Sequence, residues 1–214
     1  MSFVAGIVLT AYASLLIELT VFPIPSEAST YNLLATQGDP GSTGDALIRA
    51  RSLHRARKLL VFLLPTMLGV ALFLLPPLAV LCVPGFGFLQ ASTTPALNLL
   101  GITLVILGRV TTFVSVLQLR ATQRRGGLPA GLFLHSRNPG LVGMFTLYLG
   151  LCCLFPHWLL LVGLPLYVAN MTRRVMLEEA SLLARHGAAW QHYKKTVPRY
   201  LGWRAQNNAH PTHG

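Results

Sequence analysis

Five apolar stretches constrain this chain more than any other feature: residues 3–22, 59–83, 96–119, 141–155 and 157–171. A hydrocarbon core about 30 Å thick takes about 20 helical residues at about 1.5 Å each. The first three stretches reach that length. The last two, about 22 Å each by the same rise, are separated by Pro156-His157. Pro156 lacks the amide a continuous helix needs and clashes with the preceding turn. They therefore read as a helical hairpin that spans thinly or extends a turn past each end. Pro65, Pro76, Pro77 and Pro165 fall within or near the ends of these stretches, where kinks are tolerated in membrane helices. Hydrophobic residues make up 53% and charged residues 11%, against about 25% charged in soluble domains, and mean hydropathy is +0.56. That balance excludes a soluble fold and intrinsic disorder. Three cysteines, Cys82, Cys152 and Cys153, all in apolar runs, exclude a disulfide scaffold. The expected fold class is all-α: a polytopic membrane protein of about five transmembrane helices, with a short carboxy-terminal helical hairpin and a cytoplasmic helical tail.

The net charge of +11 would suggest nucleic acid in a soluble protein. Its distribution points elsewhere. Arg49, Arg51, Arg55, Arg57 and Lys58 precede the second stretch; Arg120, Arg124 and Arg125 follow the third; Arg137 precedes the hairpin. Arg173, Arg174, Arg185, Lys194, Lys195, Arg199 and Arg204 follow it. With the amino terminus outside and five crossings, every basic residue except Arg109 lies on the cytoplasmic side, as the positive-inside rule demands. No nucleic-acid partner is expected. Localisation is expected to be multi-pass, in a bacterial inner membrane or the endoplasmic reticulum, with the carboxy terminus cytoplasmic.

The start Met-Ser-Phe-Val-Ala lacks the basic region of a signal peptide, so it reads as a retained first span. Residues 23–50 form a long Pro-, Ser-, Thr- and Gly-rich connector with a turn at Gly38-Asp39-Pro40-Gly41, and no internal repeat emerges. Residues 1–214 read as a single integral membrane domain: three spans over 1–125, a cofactor-binding hairpin and cytoplasmic helix over 126–204, and a frayed tail over 205–214.

Ionisable residues inside spans mark sites or buried pairs. Glu18 lies near the cytoplasmic end of the first span. Arg109 lies about 16 Å of helix from Arg120, near the midplane, and reads either as the fixed partner of Glu18 or as a wall of a substrate cavity. Only six acids occur in the chain, and two are adjacent: Glu178 and Glu179. Arg174 and Glu178 are placed to pair across one helical turn. Glu179 is rotated about 100° away, so that one carboxylate pairs while the other enters a cavity, or both lie on a solvated face.

Three segments in order carry a resemblance. Leu134 to Gly143 reads Leu-His-Ser-Arg-Asn-Pro-Gly-Leu-Val-Gly; the hairpin leads to Thr-Arg-Arg-Val-Met-Leu-Glu-Glu-Ala-Ser-Leu-Leu; then comes Arg-His-Gly-Ala-Ala-Trp-Gln-His-Tyr-Lys-Lys-Thr-Val-Pro-Arg-Tyr. Over its carboxy-terminal half the chain resembles the isoprenylcysteine carboxyl methyltransferase and phospholipid methyltransferase superfamily of membrane enzymes. Arg137, Pro139 and Gly143 match the family's first motif, with Asn138 in the place of its His. Arg174, Glu178, Glu179 and Leu182 match the second, and Gly187, Tyr193, Val197, Pro198 and Arg199 the third. Leu141, His186 and Trp190 depart from the pattern, and Gly101-x6-Gly108-Arg109 is a weaker echo.

The resemblance implies an S-adenosylmethionine-dependent methyltransferase with its site at the cytoplasmic interface. It implies Arg174 and Glu178 as catalytic residues. Cofactor-binding residues would be His135, Arg137, Asn138, Pro139, Gly143, Glu178, Glu179, Tyr193 and Arg199, with Arg109 in the substrate cavity. Carboxylates can accept from ribose or pair with the amino group, and arginine takes a carboxylate bidentately. Backbone freed at Asn138-Pro139 would meet the adenine, with Gly143 permitting close approach. The methyl group arrives activated, so positioning and desolvation can supply the catalysis. Expected partners are a lipophilic or lipidated acceptor and membrane lipids, by carboxyl O-methylation of an isoprenylcysteine-like substrate or phospholipid N-methylation. No metal is expected, since the histidines lack ligand spacing and His135 and His157 fall at opposite faces. Two other readings fit. A sterol- or steroid-type membrane reductase using NADPH shares the Arg-x-Pro-x-x-x-Gly pattern, and a membrane scaffold or transporter would make Arg109 and the glutamates structural.

Overall fold

Helices account for the regular structure throughout the described part of the chain. The computed structural model describes residues 3–21, 57, 59–81, 88–125 and 130–201. The 23–50 connector, Cys82, most of the 49–58 basic run, Arg204 and the 205–214 tail lie outside the described residues. Helix α1 (Phe3–Val21) is followed by a π-helical turn at Leu59–Leu63 leading into α2 (Leu64–Val80), then α3 (Pro95–Arg125). A 3₁₀ turn at Gly131–Leu134 precedes α4 (Pro139–Leu154) and α5 (Trp158–Thr196). Among the described residues one helix segment, Pro95–Thr122, is long and apolar enough to cross a membrane; Phe3–Glu18, Leu64–Val80 and Pro139–Leu154 are shorter apolar helices. The helix that opens in the last apolar stretch does not stop with that stretch near Met171. It continues as α5 into the basic region, since the sequence between Ala169 and Ala184 holds no proline or glycine to break a helix.

The chain breaks between α4 and α5 at Phe155–His157. Phe155 leaves the helical region, and His157 caps α5 by accepting from the Leu159 amide at 3.3 Å. The segment before α3 closes over this tip, with the Ser92 amide donating to the Leu154 carbonyl at 2.7 Å and Phe88 beside His157.

α4 packs principally against α3 rather than against its hairpin partner. Gly101, Val105, Gly108, Thr112 and Ser115 recur at alternating steps of four and three along α3, as do Gly140, Gly143, Leu147, Gly150 and Leu154 along α4. That heptad spacing keeps one stripe facing one partner, and small residues let two backbones approach closely. A Cβ on Gly108 would come within 2.5 Å of the Gly143 carbonyl; one on Gly150 would meet the Gly101 carbonyl at 2.7 Å. The antiparallel register this fixes sets Gly140, in the first turn of α4, beside Ser115 on α3.

A line of rings, Tyr12, Phe73, Tyr148 and Tyr167, joins α1, α2, α4 and α5, with centroids 4.9 to 6.2 Å apart. Pro77 has no amide to give the Phe73 carbonyl one turn earlier. The Tyr12 hydroxyl donates to that carbonyl instead, which repairs the gap Pro77 leaves inside α2.

Candidate functional site

The register of α3 and α4 delivers Arg137 and Asn138 to one end of the bundle, where the end of α5 meets them. Asn138 takes the N-cap position with Pro139 first in the helix, but its side chain does not cap. Its Nδ2 donates across to the Arg199 carbonyl at 3.0 Å, while the Arg137 amide donates to the Pro198 carbonyl at 2.9 Å. The buried Ser136 hydroxyl accepts from the Asn138 amide at 3.1 Å. The loop before α4 is thus stitched to the chain after α5.

What brings Pro198-Arg199 back is a kink. Gly187 adopts φ 50°, ψ −123° inside α5, a conformation costly for any residue with a Cβ. Beyond it Trp190, Tyr193 and Val197 turn inward and bury with Leu182. The Tyr193 hydroxyl donates to the Phe133 carbonyl at 2.7 Å. Burial pushes that phenol up to about 12, with Arg137 nearby pulling the other way.

Glu179 sits at the junction, its side chain 8% exposed. Arg137 Nη1 donates to Oε1 at 2.7 Å; Arg199 forks onto both oxygens, Nε to Oε1 at 3.1 Å and Nη2 to Oε2 at 2.8 Å. Fork geometry of this kind gives the stronger charge-assisted bonds, and the hydrogen bond to Glu179 holds the Arg199 guanidinium above its usual pKa. Two guanidiniums around one carboxylate leave a surplus positive charge. Arg137 Nε and Trp190 Nε1 are buried donors without an acceptor among the described residues, an arrangement that proteins seldom leave unmet.

Arg137, Asn138, Glu179, Tyr193 and Arg199 therefore come together from all three segments. The other expected residues lie around them. Arg174 and Glu178 interact with each other: burial lowers the Arg174 guanidinium and Glu178 works against that shift. His135 is exposed, its amide closing the 3₁₀ turn onto the Leu132 carbonyl at 3.1 Å. Pro139 is buried at the head of α4. Gly143 makes its close approach to α3, where a Cβ would meet Thr112 Oγ1 at 2.6 Å. The stripe of small residues, absent from the sequence reading, explains that glycine. The sequence predicts that one of the two glutamates pairs while the other enters a cavity, or that both lie on a solvated face; the structure engages both, Glu179 with Arg137 and Arg199 and Glu178 with Arg174. Ser136 and the Thr172–Tyr200 hydroxyl contact at 3.0 Å carry no sequence signal that singles them out, and Trp190 stands out in the sequence only as a departure from the third motif.

Arg109 belongs elsewhere. It pairs with Glu18 at 2.5 Å, and donates to the Ser14 hydroxyl at 2.7 Å and carbonyl at 2.9 Å. It is the fixed partner of α1, and it also lines an open groove of about 540 Å³ between α1 and α3. Among the described residues no cluster of His, Cys, Asp and Glu is suited to a metal ion.

Compared with protein-family models, curated proteins and solved structures, the chain matches none.

Proposed function

We propose that this chain is an integral membrane methyltransferase that binds S-adenosylmethionine at the Arg137–Glu179–Arg199 cluster and methylates a lipophilic acceptor. The observation that carries the reading is the convergence of three sequence-distant segments on one buried carboxylate, with Arg137 Nε an unmet donor on its partner and a second unmet donor, Trp190 Nε1, on the ring packed against Tyr193. Surplus positive charge suits the carboxylate of the cofactor's amino-acid moiety, and unmet donors suit its acceptor atoms. Glu179, occupied on both oxygens, acts as the clasp that orients Arg137. Glu178, which interacts with Arg174 on the neighbouring helix face, is the second carboxylate of the site and meets the ribose or the amino group from within that pair.

In this reading the chain crosses the membrane five times with its amino terminus outside. The many exposed leucines, isoleucines and valines on α1, α2 and α3 are then lipid-facing surface rather than an unstable exterior. The acceptor enters between helices and the cofactor from the cytosol. A carboxylate acceptor needs no base; an amine acceptor must be deprotonated first.

A second reading rests on the same clasp: with both Glu179 oxygens taken by arginines, the cluster is a structural lock in a scaffold protein. Thermal-shift titration of the purified chain separates the readings. S-adenosylmethionine and S-adenosylhomocysteine are expected to raise the melting temperature saturably, and NADPH to leave it unchanged. Stabilisation by NADPH alone would favour a reductase, and none by any of the three a scaffold.

A further inference from the structure

We propose that the groove between α1 and α3 is a binding site for an uncharged single-chain lipid bearing one acceptor oxygen. The site is distinct from the Arg137–Glu179–Arg199 cluster and does not depend on methyl transfer. Its walls are apolar, formed chiefly by Phe3, Gly6, Ile7, Ile106 and Val110, with Arg109 at one end. Its volume of about 540 Å³ lies within the range of small-molecule sites. From Phe3 to Ser14, the α1 residue bound by Arg109, is about 16 Å of helix, room for a long alkyl or isoprenoid chain.

The chemistry of the oxygen follows from Arg109. Glu18 already balances its charge, so an anionic head would meet Glu18 as a repelling neighbour. Yet Arg109 Nη1 is buried with no acceptor among the described residues, a deficit that hydrocarbon cannot relieve and a neutral carbonyl or hydroxyl can. A two-chain phospholipid fits badly, because its charged headgroup would have to descend about 16 Å below the level of Arg120.

Photo-cross-linking in detergent micelles tests the site, using a long-chain methyl ketone that carries a diazirine. Labelling is expected on the peptides containing Phe3–Val21 or Val105–Val110. An unlabelled methyl ketone should compete about tenfold better than the matching alkane, the equivalent of about 1.4 kcal/mol, and better than the matching fatty acid or a phosphatidylcholine. Gly6→Leu should reduce labelling about tenfold without lowering the melting temperature, since a Cβ at Gly6 meets open space. Ile106→Trp, also a groove-lining change, is the companion variant should Gly6→Leu fold poorly. Equal competition by alkane, stronger competition by fatty acid or phosphatidylcholine, or undiminished labelling in a folded groove-filled variant would overturn the proposal.

Discussion

Single residues divide the ionisable groups of this chain into fixed pairs and groups with capacity to spare. Glu179 is buried and takes three hydrogen bonds from two arginines. Glu179→Gln is expected to lower stability by about 1–3 kcal/mol, because it leaves guanidinium donors unmet at a buried position. Glu178→Gln, at a half-buried position beside Arg174, should cost below about 1 kcal/mol and weaken cofactor binding by roughly tenfold to a hundredfold, one charge-assisted bond's worth. Chemical or thermal melts of the two variants, made separately, read the first difference; cofactor titration of Glu178→Gln reads the second. Arg109→Leu leaves Glu18 as a buried unpaired charge and is expected to destabilise by about 3 kcal/mol, with stability recovered in the double change with Glu18→Leu. A double mutant no more stable than Arg109→Leu would show that the pair is not what holds α1 to α3.

Helical elements were legible in the sequence to the extent that their signals are local. Apolar runs and Pro156 mark where α1, α2, α3 and α4 lie and where the hairpin turns. The far end of α5 was not marked, because a helix leaving an apolar stretch keeps its hydrogen bonds while only its side chains change. The glycines were harder still. Gly143 has the same sequence appearance whether its missing Cβ admits a ligand or a helix, and only the matching stripe on the partner helix decides it. Gly108→Ala is therefore expected to push α3 and α4 apart, with a loss in melting temperature, whereas Gly69→Ala, where nothing lies within 4 Å of the added Cβ, should be neutral or slightly stabilising. Equal melting temperatures for the two variants would contradict the close packing of α3 on α4. Of the cluster, Arg137, Asn138, Glu179, Tyr193 and Arg199 stand in the three segments that carry the resemblance. The clasp was not legible, since its arginines and its carboxylate lie 42 and 20 residues apart: the α4–α5 reversal brings Arg137 to Glu179, and the Gly187 kink brings Arg199.

Among the described residues the molecule is all-helical and exposes many large apolar side chains. If the proposed orientation holds, Ser92, which lies in the segment closing over the α4–α5 tip, faces away from the cytoplasm. Ser92→Cys should then react with an impermeant maleimide in intact cells while Ser42→Cys stays protected; the reverse pattern would invert the topology. The methyltransferase reading is tested most directly by calorimetric titration of S-adenosylmethionine into the purified full chain and its Trp190→Phe variant. Trp190→Phe removes a donor with no acceptor among the described residues but also shrinks a buried ring packed on Tyr193, so a modest loss of melting temperature with the fold kept is expected. One saturable site in the parent, weakened about tenfold in Trp190→Phe, is the expected result. No saturable binding by a folded parent would contradict the proposed function, and equal affinity in the two proteins would remove Trp190 from the cofactor site.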